Sequence, residues 1–392
     1  MIKKITIKNF KSIETLDVFC NETFNVIIGE NNIGKTTIFE AIHLWKICYD
    51  SNIKKDKKQF YAMTKNIPFK DMDFLRVYDD MDLFNDKCKP KNAELLIGLE
   101  IEYNSISFNL GFIVSKVQNI DNAYLQVRYE DKDEFFRFAD ELVSQGYNLM
   151  NGIVICESRP IANIITKEPY MYKNQILDKI SKGKGHEVLR NKITKSPAHM
   201  ARIEEHIKNV MEKEYKFVEV DKDNKTYIKL TVNNTNILSQ GSGFLQVAEI
   251  FSSLEYTEAA LYILLIDEPD SHLHTKLQKK LIEEFRTIDN SQLFIISHND
   301  RFLNEVQDGE LLFIDDKGKQ RGRIEPLRPG CKNLVLNNLS GVVGAIDQLR
   351  YVEKIVILEG KSDKTFFEKM LPKYRQFLGK EEPNVYIDKV NG

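Results

Sequence analysis

Cysteine is scarce and scattered. The five cysteines, Cys20, Cys48, Cys88, Cys156 and Cys331, form no Cys-x-x-Cys pair. That pattern excludes a disulfide framework and a zinc knuckle, and it indicates reduced thiols in a cytoplasmic protein. A net charge of one sign is also missing: 56 Lys and Arg stand against 58 Asp and Glu, leaving −2. No global basic field draws the chain onto nucleic acid, so any DNA contact must come from local patches. The opening MIKKITIKNF carries charge every second or third residue, unlike a signal peptide. No apolar run approaches the length that spans a bilayer, so no membrane partner is expected. Internal repeats and sustained heptads are absent, which argues against a long coiled-coil arm.

What is present is a chain of 392 residues, long enough for two or three domains with cores of their own. KKITIKNFKSIETLDVF alternates Lys and Thr with Ile and Phe, a strand pattern expected at a sheet edge. SNIKKDKK reads as a polar linker. ELLIGLEIEY and ISFNLGFIVSKV read as antiparallel strands, and HEVLRNKITKSPAHMARIEEHIKNVMEKEY as helix broken near Pro197. Strand character returns at KFVEVD and TYIKLTV.

GENNIGKT fits G-x-x-x-x-G-K-[ST], with Gly29, Gly34, Lys35 and Thr36 at the required spacing. It follows the apolar strand NVII and opens a helix, the context that separates this motif from a chance glycine turn. Gly29 and Gly34 let backbone N–H groups of the loop, including Asn31 and Asn32, turn inward around phosphate oxygens. The helix start at Lys35, Thr36 and Thr37 adds its partial positive charge. Lys35 is expected to reach the β- and γ-phosphates of ATP, and Thr36 to ligate Mg²⁺.

YILLIDEPD is a second buried strand, with Asp267 and Glu268 at its carboxyl end, where open α/β sheets place their ligands. Asp267 is expected in the Mg²⁺ shell, and Glu268 as the base that orients and deprotonates the attacking water. LFIISHND is a further strand ending in His298, placed to donate a hydrogen bond to the γ-phosphate and sense it. LSQGSGFLQ offers Ser239, Gly241, Ser242 and Gly243 as a second anion-binding turn at a helix start. One chain needs a single phosphate cradle, so a second makes sense as cover for a partner subunit's nucleotide. Two basic stretches, KKDKK at 54–58 and the group Lys182, Lys184, Arg190, Lys192 and Lys195, are candidate phosphate contacts.

The order of phosphate loop, long insertion, Ser-Gly turn, LLIDEP and SH resembles the ABC-type ATPase head shared by SMC, Rad50 and RecF proteins. The resemblance covers residues 1–60 and 230–315. It implies head-to-head pairing in which one subunit's phosphate loop and the other's Ser-Gly turn enclose each ATP, with Ser242 favoured over Ser239 as the γ-phosphate contact. EPDSHLH at 268–274 resembles the OLD-family nucleases and their relatives in Gabija, PARIS and retron anti-phage defence.

OLD proteins carry a Toprim domain after the ATPase, and IVILEGKSDKTFFEKML followed by NVYIDKVNG resembles its first strand, helix and second strand. The resemblance implies Glu359 as metal ligand or base and Asp363 as a second carboxylate, holding Mg²⁺ or Mn²⁺ for phosphodiester cleavage of DNA. The Asp-x-Asp strand such a centre needs does not follow, and the sequence stops within a βαβ pattern, so part of a longer nuclease is expected. The resulting expectation is an α/β fold: an ABC-type P-loop ATPase core at 1–50 and 230–325, an inserted β/helical lobe at 51–229, a linker at 326–351, and the start of a Toprim-like unit at 352–392. Expected partners are a second copy or higher oligomer, DNA, and a second defence protein. Alternative readings are an ATPase scaffold that cuts nothing, and a RecF- or Rad50-like repair ATPase.

Overall fold

A computed structural model describes residues 1–328, apart from 57–58, 63, 73–74, 89–92, 118–122, 148, 159–164, 182–183, 224–225, 257–258, 271, 289–290, 298, 300–302 and 304, and beyond them 354–358, 361–378 and 385–389. The chain divides into two compact units, Met1–Pro329 and Gly330–Gly392.

The first strand pattern is two strands, not one. β1 (Ile2–Phe10) and β2 (Ile13–Phe19) form an antiparallel hairpin whose turn uses left-handed backbone at Asn9 and Lys11. Sequence reading put this segment at a sheet edge, and the structure places β1 inside the sheet. Its outward polar side chains pair across strands: Thr6 Oγ1 donates to Asp17 Oδ1 at 2.8 Å, and Lys4 lies 3.5 Å from Glu100. β3 (Phe24–Gly29) leads into α1 (Lys35–Asn52). The stretch read as a linker is a hairpin of β4 (Ile53–Asp56) and β5 (Gln59–Ala62). There follow β6 (Ile67–Pro68), β7 (Glu94–Tyr103), β8 (Ile106–Lys116), β9 (Tyr124–Tyr129), α2 (Lys132–Ser144) and α3 (Leu149–Gly152).

β10 (Ile153–Ser158) precedes α4 (Lys173–Ser181), α5 (Leu189–Ile193) and α6 (Pro197–Met211). Pro197 opens α6 rather than kinking a longer helix, with Ser196 as N-cap accepting from the His199 N–H. Next come β11 (Phe217–Val220), β12 (Lys229–Val232), β13 (Thr235–Asn236) and α7 (Ser242–Tyr256). β14 (Leu261–Asp267), α8 (Thr275–Phe285), β15 (Ser291–Ile296), β16 (Leu311–Ile314), α9 (Asp316–Arg321) and β17 (Arg323–Ile324) complete the first unit.

Two sheets organise that unit. A seven-stranded sheet has the order β17-β2-β1-β7-β8-β9-β6, and a five-stranded sheet the order β10-β14-β15-β3-β16. Every pairing in the second sheet is parallel. Its strands are mostly apolar runs such as FNVIIG and SQLFII, buried along their length as a sheet covered on both faces requires, and the buried amides of Asn25 and Gln292 are hydrogen-bonded to the Leu293 and Ile2 carbonyls. α1 lies between the two sheets and is buried almost all round, which is why it lacks a polar face. Trp45 fixes it there, donating from Nε1 to the Leu110 carbonyl of β8 at 2.7 Å. α5, α6, α7 and α8 pack against one another as a separate helical group.

The second unit holds β18 (Lys354–Leu358), α10 (Lys361–Leu378) and β19 (Val385–Lys389), with β18 and β19 parallel. A parallel pair needs a crossover, and α10 supplies it. Most of the expected linker at 326–351 lies outside the described residues. Among the described residues, no helix is long and apolar enough to cross a membrane.

Candidate functional site

β3 ends at Gly29, and the loop to Lys35 turns back over the carboxyl edge of the parallel sheet. A Cβ at Gly29 would sit 2.4 Å from the Ile314 carbonyl oxygen of neighbouring β16, so only glycine lets the strands close here. Asn32 (φ 63°) and Gly34 (φ 107°) take left-handed backbone, and Gly34 is the N-cap of α1. Glu30, Asn31 and Asn32 are exposed, Thr36 and Thr37 half-buried. The loop is thus an open concavity at a helix N-terminus, suited to an anion. Lys35 is buried and folds over it, with Nζ donating to the carbonyls of Gly29 at 2.9 Å and Glu30 at 2.7 Å.

Asp267 closes β14 and Glu268 follows it, both half-buried. β15 separates β14 from β3, so the acidic strand and the phosphate-loop strand flank one common neighbour. Glu268 has left-handed backbone (φ 47°), and its N–H donates to the Ile296 carbonyl of β15 at 2.9 Å, which turns the chain sharply off the strand. Burial lowers the Lys35 ammonium to about 8, against the opposing pull of Asp267 and then Glu268. Thr36 and Asp267 are hard oxygen donors of the kind Mg²⁺ takes. Among the described residues no group of three or more His, Cys, Asp or Glu is arranged to hold a metal ion. An ion here would therefore complete its shell with phosphate oxygens and water, as Mg²⁺ does in nucleotide sites.

The Ser-Gly turn is exposed at Ser239, Gly241 and Ser242, and Ser242 begins α7. Gly243 is packed: a Cβ there would lie 2.8 Å from the His272 carbonyl oxygen. The turn therefore rests on the segment that follows Glu268. The same segment carries a network that sequence reading missed. Buried Asp270 accepts from Ser297 Oγ at 3.0 Å, Asn299 N–H donates to Ser297 Oγ at 3.1 Å, and Asn299 Nδ2 donates to Gln278 Oε1 at 3.2 Å. Burial raises the Asp270 carboxyl above its usual range, offset in part by these bonds. His298, between two of these partners, lies outside the described residues. A second missed pair is His43 of α1 with Glu157 of β10, 2.9 Å apart and both buried.

Within the basic group at 182–195, Arg190 and Lys192 do not face solvent: both are buried, Arg190 on Glu168 and Lys192 on Glu249. Lys195 lies over the Tyr256 ring and donates to its carbonyl. Lys182, like the side chains of 54–58, lies outside the described residues. In the second unit Asp363 is exposed in the first turn of α10, and Glu359 is outside the described residues.

Among known proteins, the chain is similar to the DNA replication and repair protein RecF of Bacteroides thetaiotaomicron, 23% identical over 151 residues, 37% of this chain and 38% of that one. RecF of Halalkalibacterium halodurans is 39% identical over 57 residues, 14% and 15% of the two chains. The match spans little more than a third of the first relative and about a seventh of the second. A solved SMC head bound to the C-winged helix domain of ScpA has a TM-score of 0.50 at 15% identity, covering 83% of this chain and 96% of that one. The likeness is one of fold, that of an SMC head. Residues 24–304, which take in the phosphate loop, the Ser-Gly turn and the acidic strand, match the family described as AAA domain, putative AbiEii toxin, Type IV TA system, and the chain belongs to that family.

Proposed function

We propose that the first unit is an ATPase that pairs with a second copy around ATP and Mg²⁺ and thereby controls the C-terminal unit. The observation that carries this is that the Lys35 loop and the Asp267–Glu268 strand end leave the carboxyl edge of one parallel sheet, on strands that flank β15. Lys35 and the loop N–H groups hold the phosphates, Thr36 and Asp267 hold the ion, and Glu268 takes the proton of the attacking water. A Mg²⁺ ion held there would supply positive charge against the phosphate oxygens. Exposed Ser242 and Ser239 are free to meet a partner's nucleotide, which supports pairing. His298 senses the γ-phosphate from the end of β15.

The C-terminal unit acts as a Toprim-type DNA endonuclease, with Glu359 and Asp363 as ligands for Mg²⁺ or Mn²⁺, in defence against phage. The strand–helix–parallel strand of 354–389 supports this reading. The test incubates the full-length product with plasmid DNA and Mg²⁺ or Mn²⁺, with and without ATP. Cutting that depends on Glu359 and changes with ATP is expected, and absence of cutting under every condition rejects the nuclease. The RecF similarity favours a second reading, a DNA repair ATPase without nuclease activity. That reading expects ATP-dependent retention of DNA with the plasmid left intact.

A further inference from the structure

α5 is barely more than one turn, yet three consecutive residues on it, Arg190, Asn191 and Lys192, are polar and buried. Arg190 donates from its backbone N–H and from Nε to Glu168 Oε2 at 3.0 and 3.1 Å, and from Nη1 to the Ile228 carbonyl at 3.4 Å. Asn191 donates from N–H and Nδ2 to Glu168 Oε1 at 2.7 and 2.6 Å. The Glu168 carbonyl in turn accepts from the Ile228 N–H at 3.0 Å. Ile228 leads directly into β12 and β13, which run into the Ser-Gly turn. Gln240 of that turn donates to Thr235 Oγ1 of β13 at 2.8 Å.

On the other side, Lys192 Nζ donates to Glu249 Oε1 at 2.6 Å and Ser253 Oγ at 2.7 Å, both on α7. Lys192 and Glu249 are fully buried, and Glu249 Oε2 has no hydrogen-bond partner among the described residues. Glu249 lies seven residues after Ser242, close to two helical turns and roughly 10 Å along the same stripe. A buried ion pair is weak evidence for stability, because desolvation offsets its attraction, but it fixes orientation. Both flanks of the turn at 239–243 are thus fastened to one short helix.

We propose that Lys192 is a positioning residue, acting through Glu249, that sets the attitude of the α7 N-terminus and so aims the Ser-Gly turn at the partner subunit's nucleotide. It rests on the paired-head reading given above. The tests use full-length protein carrying Lys192→Met, Lys192→Arg or the double change Lys192→Met with Glu249→Leu, the last because it removes both buried charges together. Melting temperature, affinity for a fluorescent ATP analogue, kcat, and the dependence of specific activity on protein concentration are measured. The double variant is expected to melt near the native temperature and bind nucleotide within about twofold, with kcat lower by about tenfold or more, since misplacement of an aimed group costs rate rather than binding. Lys192→Arg is expected to recover much of the rate. A double variant with native kcat overturns the proposal. Ser239→Arg and Ser242→Arg separate the two ideas. If neither lowers kcat, the paired-head reading fails and takes this proposal with it. If either does while the double variant keeps native kcat, only the role of Lys192 fails.

Discussion

Lys35 Nζ donates to the Gly29 carbonyl oxygen at 2.9 Å, so the cation proposed to hold phosphate is stored against the loop proposed to cradle it. Burial holds this ammonium at about 8. Phosphate binding needs the charged form. ATP affinity should therefore be flat from pH 6.5 to 7.5 and weaken progressively above pH 8, approaching tenfold per unit. Calorimetry at pH 8.5 in buffers of different ionisation enthalpy should register proton uptake on binding. Equal affinity at pH 7 and 9.5, with no proton exchanged, contradicts the assignment.

Glu268 leaves its strand in left-handed backbone with its N–H tied to β15, so its carboxylate is carried by a rigid turn. Glu268→Gln should keep nucleotide binding and lower kcat by about 10²- to 10⁴-fold, the usual worth of a general base. The variant should accumulate as ATP-bound dimers, measurable by light scattering on a sizing column. Unchanged turnover removes Glu268 from the mechanism.

Gly29→Ala should be poorly tolerated, because the new methyl meets a backbone oxygen of Ile314 that cannot swing aside. A loss of about 1–3 kcal/mol is expected, as for other overpacked sites, together with weakened ATP binding as β3 and β16 part. Gly309→Ala, with open space around it, serves as the control and should melt as the native chain does. Matching melting curves for the two variants would mean the strands are not in the contact described.

His206 joins three helices. From α6 it stacks on Phe251 of α7, with Nδ1 2.6 Å from Glu284 of α8 and Nε2 3.1 Å from Glu255 of α7. Arg202 and Asn209 face the same carboxylates. Burial alone would lower the His206 imidazole, but its bonds to Glu255 and Glu284 outweigh burial and raise it. The folded value lies above the unfolded one. The stability it contributes is therefore complete below about pH 6.5 and fades as pH climbs through the folded value. Denaturation at pH 6 and pH 8.5 should show His206→Gln costing about 1–3 kcal/mol at the lower pH and less at the higher. A cost independent of pH would show that the imidazole acts by packing alone.

The phosphate loop and acidic strand were legible because each packs its chemistry into about eight contiguous residues, framed by apolar strands that alternation or continuity reveals. Polar pairs closed over long loops left no such trace. His43 meets Glu157 across 114 residues and Lys192 meets Glu249 across 57. Before folding, Lys192 is one more lysine in a basic run, and the same run read as a phosphate-binding face. β1 was misplaced for a related reason: its outward Lys and Thr suggested solvent, while their partners Glu100 and Asp17 sit on the two neighbouring strands. The hairpin at 53–62 was hidden because its run of lysines reads as a polar linker.

The parallel sheet also dictates an order of manufacture. β3, which ends in the phosphate loop, is hydrogen-bonded on one side to β15 and on the other to β16, at residues 291–296 and 311–314. During synthesis the loop leaves the ribosome early and waits nearly three hundred residues for both neighbours. A fragment ending before Ser291 would carry the phosphate loop and the acidic strand yet have no strand beside β3.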